Sequence, residues 1–117
     1  MADPTRLRTG ALLDTWSSHV WKDGVQIESV EDRSRIRVRT QNSVYEITVL
    51  DVWSRKILIR GGQYFPEDTP VYLAGSTLGG SLLKVGGIFV GFCLEATDDE
   101  GRRVVTSPVQ SVHVYPG

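Results

Sequence analysis

The feature that most constrains the fold of this chain is an alternation of arginine with small or apolar residues. The arginines are Arg33, Arg35, Arg37 and Arg39, and the residues between them are Ser34, Ile36 and Val38. Successive side chains of a β-strand point to opposite faces, so the pattern predicts a strand with one cationic face and one buried face. A strand of this kind belongs to a sheet that covers a core on one side.

The segment that follows predicts a hairpin partner for this strand. If Gln41 and Asn42 form a two-residue turn, one register satisfies both faces of the pair. That register pairs Val38 with Tyr45, Ile36 with Ile47, and Arg37 with Glu46. The first two pairs bury apolar side chains and the third sets opposite charges across the strands, so the pattern favours this hairpin.

A second hairpin is predicted near the start of the chain. Asp23 and Gly24 are typical of a two-residue turn, because both residue types tolerate positive φ. The hairpin would span 17–30 and pair Lys22 with Val25, Val20 with Ile27, and His19 with Glu28. Residues 1–15 are expected either to be flexible or to form a short helix.

Further apolar runs predict short strands at 57–59, 71–74, 88–96, 104–106 and 109–115. The run at 88–96 is apolar on nearly both faces, which predicts a central strand with Gly91 at a sharp bend. The segment 61–70 is predicted to be a loop from its glycine and proline content. Pro108 indicates an edge, a bulge or a corner between strands.

Short strands separated by turn signals, without a convincing long helix, predict an all-β fold. We expect a small antiparallel barrel of about six to eight strands, with a β-sandwich as the alternative. The chain has 117 residues, which suits a single domain over 1–117 and leaves no room for a second.

Composition limits the partners and the compartment. The net charge is −1, so binding to nucleic acid would need a local patch and is not favoured. The single cysteine, Cys93, cannot form an internal disulfide. The N-terminal sequence lacks the apolar run of a signal peptide, and no segment has the roughly 20 apolar residues of a membrane span. We therefore expect a cytoplasmic protein without a membrane partner.

Two segments carry side chains that could bind an anion. The arginine row can hold phosphates, because each guanidinium presents a planar fork of donors. The glycine-rich segment, 74–81, offers backbone N–H groups and hydroxyls that can cradle an anion. Its candidate residues are Ser76, Thr77, Gly79, Gly80 and Ser81. Each segment also has a simpler interpretation: a solvated strand face neutralised by nearby carboxylates, and a tight connection in which glycine supplies positive φ.

Catalysis is poorly supported by the sequence. The two histidines, His19 and His113, are far apart along the chain, and no nucleophile motif accompanies them. Two histidines and one cysteine without metal-ligand spacing do not predict a zinc site. We expect no enzyme activity, no metal and no cofactor.

Several motifs resemble those of a family of small uncharacterised bacterial all-β proteins. The motifs are Thr40-Gln41-Asn42-Ser43-x-Tyr45, Arg60-Gly61-Gly62-x-Tyr64-Phe65-Pro66, Gly75-Ser76-x-Leu78-Gly79-Gly80-Ser81, Val90-Gly91-Phe92 and Thr106-Ser107-Pro108-Val109. The resemblance extends from Arg33 to Val114 and implies a fold, without implying an activity.

The chain also has a remoter resemblance to PilZ domains, which are six-stranded barrels that bind cyclic di-GMP through an Arg-x-x-x-Arg motif and an Asp-x-Ser-x-x-Gly motif. The residues that match are Arg33 with Arg37, Arg35 with Arg39, and Ser76 with Gly79. Ala74 stands where the second motif has aspartate. The resemblance implies a nucleotide site formed by the arginine row and the glycine-rich segment.

Three hypotheses follow from the sequence. The first is a non-catalytic module that binds a partner protein or a small ligand. The second is a phosphate- or nucleotide-binding regulator that uses the arginine row with the glycine-rich segment. The third is a structural homo-oligomer whose edge strands, around 108–115 and 17–30, pair between chains.

Overall fold

The structure is a computed structural model, and it describes residues 23–78 and 82–115. The strands within these ranges are β1 Gly24–Gln26, β2 Arg35–Thr40, β3 Val44–Asp51, β4 Lys56–Gly61, β5 Phe65–Leu78, β6 Leu82–Val85, β7 Gly87–Phe89, β8 Cys93–Asp98 and β9 Arg103–Tyr115. A 3₁₀ turn, Ile27–Ser29, follows β1, and the described residues contain no α-helix.

Six strands are hydrogen-bonded into a closed antiparallel ring. Around the ring the order is β2, β3, β4, β5, β8 and β9, and β9 returns to β2. β6 pairs with the end of β5, while β1 and β7 form a separate two-stranded sheet. The predicted all-β fold is confirmed, and the ring gives it the form of a barrel.

Alternation along the strands fills the interior of the barrel. In β2, positions 36, 38 and 40 are buried while positions 35, 37 and 39 are exposed. The buried apolar cluster is Ile27, Ile36, Val38, Tyr45, Ile47, Val49, Ile57, Ile59, Phe65, Val71, Leu73, Ile88, Leu94, Ala96 and Val109. Each large aliphatic side chain buried in this way stabilises the fold by about 1.5–3 kcal/mol.

The register predicted for the first hairpin is confirmed. β2 and β3 pair Ile36 with Ile47, Arg37 with Glu46, and Val38 with Tyr45. The N–H of Thr40 donates to the carbonyl of Ser43 at 2.8 Å and closes the two-residue turn. The core pairs and the charge pair therefore select the same alignment, as the sequence predicts.

Arg33 does not belong to the strand, contrary to the prediction. Its φ is +75°, and the N–H of Ser34 donates to the carbonyl of Glu31 at 3.1 Å. These two features define a turn that precedes β2, because an extended strand does not adopt positive φ. The cationic row of the strand therefore contains three arginines rather than four.

The predicted loop over 61–70 is wrong for its second half. β5 begins at Phe65, and the turn that joins it to β4 occupies only 62–64. Pro70 lies opposite Leu58. At this position a backbone N–H would point away from β4, toward the edge that faces β8. Pairing with β8 begins only at Val71. Proline is tolerated there because no ladder hydrogen bond is lost.

The predicted central strand over 88–96 is broken in two. A turn separates β7 from β8, with the N–H of Phe92 donating to the carbonyl of Phe89 at 3.3 Å. Gly91 has a φ of +95° and is exposed. The glycine is therefore needed for the turn and not for a bend within a barrel strand.

The predicted N-terminal hairpin is only partly within the described residues. Its first arm, 17–22, lies outside them, as do residues 1–15. Its second arm pairs with β7 through Gly24–Gln26, and the 3₁₀ turn then takes in Ile27 and Glu28. The strand therefore does not continue through these two residues to position 30.

Pro108 lies at a corner, which is one of the three settings predicted for it. The part of β9 before it pairs with β8, and the part after it pairs with β2. Both pairings contain a register shift near this point. Residues 109–115 thus have one edge paired with β2, and the predicted pairing of this segment between chains stays a prediction.

Within 23–78 and 82–115, no helix has the length and apolar character needed to cross a membrane.

Gly75 lies where an added side-chain atom would collide with a neighbouring strand. It lies in β5 opposite both Val85 and Glu95, with a φ of +143°. A Cβ there would lie 2.0 Å from the carbonyl oxygen of Lys84. We expect Gly75→Ala to lower the free energy of unfolding by about 2 kcal/mol or more, as strained φ and a backbone collision combine.

Gly91→Ala is the matched control for urea unfolding. Gly91 also has positive φ, but a Cβ there would have no neighbour within 4 Å. Gly91→Ala should lower the free energy of unfolding only by the cost of holding a residue with a Cβ at positive φ, about 1–2 kcal/mol. Equal losses in the two variants would show that close strand packing at Gly75 is not needed.

Candidate functional site

Two adjoining cavities lie on the outer face of β2. One has a volume of about 360 Å³ and the other about 200 Å³. Both are lined by Arg35, Arg37 and Glu46. The larger one extends across β3 to Arg60 of β4 and Asp68 of β5. We call the surface formed by these five residues the arginine face.

The ring brings the members of the arginine face together. Arg37 of β2 lies opposite Glu46 of β3, and Glu46 lies opposite Arg60 of β4. These side chains alternate with buried residues on each strand, so they project from the outer side of the barrel. The face is therefore a row across three strands, with Asp68 at its far end.

Carboxylates partner two of the three guanidiniums. Nε of Arg37 donates to Oε1 of Glu46 at 2.7 Å, while Nε of Arg60 is 4.0 Å from Oδ1 of Asp68. The hydrogen bond to Glu46 is the largest of the effects that raise the pKa of Arg37, followed by the charge of Glu46 and that of Tyr115. Among the described residues, Arg35 has no carboxylate within ion-pair distance.

These ion pairs are exposed, which limits their strength. The side chains of Arg37 and Glu46 are 55% and 38% exposed. Water and salt screen charges in such positions, and exposed pairs contribute little to stability. Glu46 engages only Nε of Arg37, so the terminal nitrogens of the guanidinium remain available for a second acceptor.

Aromatic rings border the smaller cavity. Tyr115 lines it and pairs with Arg35 across β2 and β9. His113 pairs with Arg37 in the same way, and its ring centroid is 4.6 Å from that of Tyr115. The arginine face is thus bordered by Tyr115, whose ring is tilted by 43° against that of His113.

The other predicted arginines lie outside the arginine face. Arg39 is exposed at the end of β2 and lines a separate cavity of about 320 Å³ with Gln41 and Gln110. Arg33 lies in the turn before β2 and lines neither cavity of the arginine face. Of the predicted row, only Arg35 and Arg37 share a site.

The glycine-rich segment does not join this site. Ser76 and Thr77 line neither cavity of the arginine face. Ser76 is fully buried, and its Oγ donates to the carbonyl of Gly87 and accepts from the N–H of Phe89, both at 3.0 Å. Thr77 is 1% exposed. The Ser76 hydroxyl therefore joins β5 to β7, and Thr77 is buried in the barrel. Gly79, Gly80 and Ser81 lie outside the described residues.

A further cavity, of about 390 Å³, opens where three chain segments meet. Asn42 comes from the β2–β3 turn, Gln63 and Tyr64 from the β4–β5 turn, and Ser107 from β9. Tyr45 forms part of its wall. It shares no lining residue with the arginine face. We call it the neutral cavity, because no charged side chain lines it.

The described part of the chain contains no cluster of three or more histidine, cysteine or carboxylate side chains that could hold a metal ion. Burial raises the pKa of the Cys93 thiol, which disfavours the reactive thiolate. His113 contacts an aromatic ring, and His19 lies outside the described residues.

Arg60, Asp68 and Tyr115 were not predicted as site residues. If a two-residue turn at Trp53-Ser54 joined β3 to β4 without a bulge, Arg60 would lie opposite Ile47, on the core side. A register shift between Val49 and Asp51 instead places it opposite Glu46. Hydrophobic alternation carries no signal for such a bulge.

No protein-family model, curated protein or solved structure matches this chain.

Tyr45 provides a pH test of the wall of the neutral cavity. Burial raises the pKa of its phenol, which outweighs the hydrogen bond with Ser43 that lowers it. The phenol of Tyr45 ionises at a lower pH in the unfolded chain, near pH 10, than in the folded protein. Its contribution to the free energy of unfolding is therefore complete below that pH and is lost as pH rises further. We expect unfolding free energy to fall more steeply above about pH 10 in wild type than in Tyr45→Phe.

The measurement is urea unfolding at a series of alkaline pH values. Comparing the slopes, rather than the absolute stabilities, removes the packing cost of the lost hydroxyl and the titration of other groups. Parallel slopes in the two proteins would contradict a raised phenol pKa.

Proposed function

We propose that this protein is a non-catalytic binding module that takes a small phosphorylated ligand carrying an aromatic ring, such as a nucleotide, on the arginine face. The observation that carries the proposal is the position of Arg35. It has no carboxylate partner among the described residues and lies between a cavity bordered by Arg60 and one bordered by Tyr115.

Phosphate recognition would use Arg35 together with Arg37. Guanidiniums bind phosphate oxygens through two parallel N–H bonds, and this geometry is more specific than that of an ammonium group. Glu46 fixes Nε of Arg37, so the side chain is held in place while its terminal nitrogens stay open. A phosphate there would complete the coordination of both arginines and would not need to break the Arg37–Glu46 pair.

Recognition of the ring would use Tyr115. It lies across the strand pair from Arg35, and His113 supports it from the side. Aromatic faces stack on nucleobases with about 1–3 kcal/mol per base. A ligand with a ring and a phosphate fits this arrangement better than a bare anion, which would leave Tyr115 unused.

The proposal includes binding without catalysis and a cytoplasmic location. The raised pKa of the Cys93 thiol supports binding without catalysis, because it disfavours the reactive thiolate. The single cysteine, which cannot form an internal disulfide, supports a cytoplasmic location. An extended nucleic acid is a poorer candidate, because the carboxylates of Glu46 and Asp68 interrupt the cationic row.

Isothermal titration with nucleotides tests the proposal. We expect Arg35→Ala to weaken binding by about tenfold or more, because a charge-assisted pair of hydrogen bonds is lost. Arg35→Lys should recover part of the affinity, since it keeps the charge but loses the planar fork. Raising the salt concentration should weaken binding of the wild-type protein.

Arg39→Ala is the control, because Arg39 is an exposed arginine on the same strand outside the arginine face. It should bind as the wild type does. Pyrophosphate serves as a ligand without a ring and should bind more weakly than a nucleotide. The proposal fails if saturating nucleotides give no binding, or if Arg35→Ala and Arg39→Ala lose affinity equally.

A homo-oligomer that pairs through β6 is a second candidate. β6 has one strand neighbour among the described residues, and its side chains Leu83 and Val85 are 39% and 49% exposed. An edge of this kind can pair with a second copy. Light scattering should then give a dimer that Leu83→Lys converts to a monomer; a wild-type monomer at high concentration would exclude this interface.

A further inference from the structure

The neutral cavity is a polar recess that the proposed nucleotide site does not use. Its volume of about 390 Å³ lies within the roughly 300–1,000 Å³ range of small-molecule sites. Its walls come from two turns and from β9, each anchored to the barrel. The N–H of Asn42 donates to Oγ of Ser107 at 3.3 Å, which links two of these walls.

The chemistry of the lining is uncharged and polar. The side chains are amides, hydroxyls and phenols together with Val105, and none is a carboxylate, an ammonium or a guanidinium. Such a lining gives a charged ligand no compensation for the water it loses. A neutral ligand with many hydroxyl groups would instead find donors and acceptors in nearly equal number.

Several of these polar groups are not engaged within the protein. Among the described residues, the side-chain amides of Asn42 and Gln63 and the hydroxyl of Tyr64 make no hydrogen bond. Thr106 differs, since its Oγ1 accepts from the N–H of Leu94 and donates to the carbonyl of Ser107. The free groups come from two different turns, so they converge on the cavity from two sides.

Tyr64 adds an aromatic platform at the mouth of the cavity. Its side chain is 55% exposed, while Phe65 lies behind it at a ring-centroid distance of 6.5 Å. Phe65 in turn packs edge-on against Tyr45 at 6.4 Å. The platform therefore contacts the core through Phe65 while more than half of it is exposed, and an exposed aromatic ring can stack on an apolar ligand face.

We infer that the neutral cavity binds a neutral saccharide. Amides that both donate and accept match the hydroxyl groups of a sugar, and the open ring of Tyr64 matches the C–H face of a pyranose. The site is separate from the arginine face, because the two share no lining residue. Its ligand is therefore independent of the proposed nucleotide.

Two-dimensional NMR titration of the full chain tests this inference. The probes are glucose, galactose, mannose and N-acetylglucosamine, with their common disaccharides. At least one should shift the amide signals of Asn42, Gln63 and Tyr64 and leave those of Arg35 and Arg37 in place. Binding should not change with salt concentration, because no charge lines the cavity.

Two variants assign the effect to the cavity. Tyr64→Ala should weaken binding by about tenfold, because the stacking surface is lost. Tyr72→Ala is the matched control, since Tyr72 is also an exposed tyrosine, at 41%, and lies outside the cavity. Unchanged spectra with every sugar at its highest soluble concentration would overturn the inference, as would equal effects of the two variants.

Discussion

Pairing of β5 on both of its edges is the constraint on which the rest of the structure depends. β5 spans 14 residues and bonds to β4 along its first part and to β8 along its second. These two pairings close the sheet, so that no large edge of the barrel is left open. Gly75 permits the close approach of neighbouring backbone where the strand meets β6 and β8.

Closure also assembles the candidate sites. The arginine face needs β4 and β5 beside the first hairpin, because Arg60 and Asp68 come from them. The neutral cavity needs the β4–β5 turn to meet β9, which contributes Ser107. Neither site would form on an isolated hairpin. The two differ in chemistry because one lies on outward strand faces, where charge is well solvated, and the other lies among turns.

The sequence was sufficient for features in which several local signals agree. The register of the first hairpin was predictable because the apolar pairs and the Arg37–Glu46 pair select one alignment. The sequence was insufficient where the backbone conformation of a single residue decides where a strand begins or ends. Positive φ at Arg33 ends the arginine row, and positive φ at Gly91 divides an apolar run that reads as a single strand.

The sites were less predictable than the fold, because they depend on register between distant segments. Ser76 resembled an anion ligand in a glycine-rich segment, yet its hydroxyl is used to join β5 to β7. The shift between Val49 and Asp51, which brings Arg60 to the outer face, has no signature in composition or periodicity.

Cross-strand nuclear Overhauser effects at β5 test the central claim most directly. Closure predicts contacts from β5 to both neighbours: Ile57 with Val71 on one edge, and Leu73 with Ala96 on the other. Observing both sets in one folded species would support the ring. Contacts to only one neighbour would mean an open sheet, and neither candidate site would then have its walls.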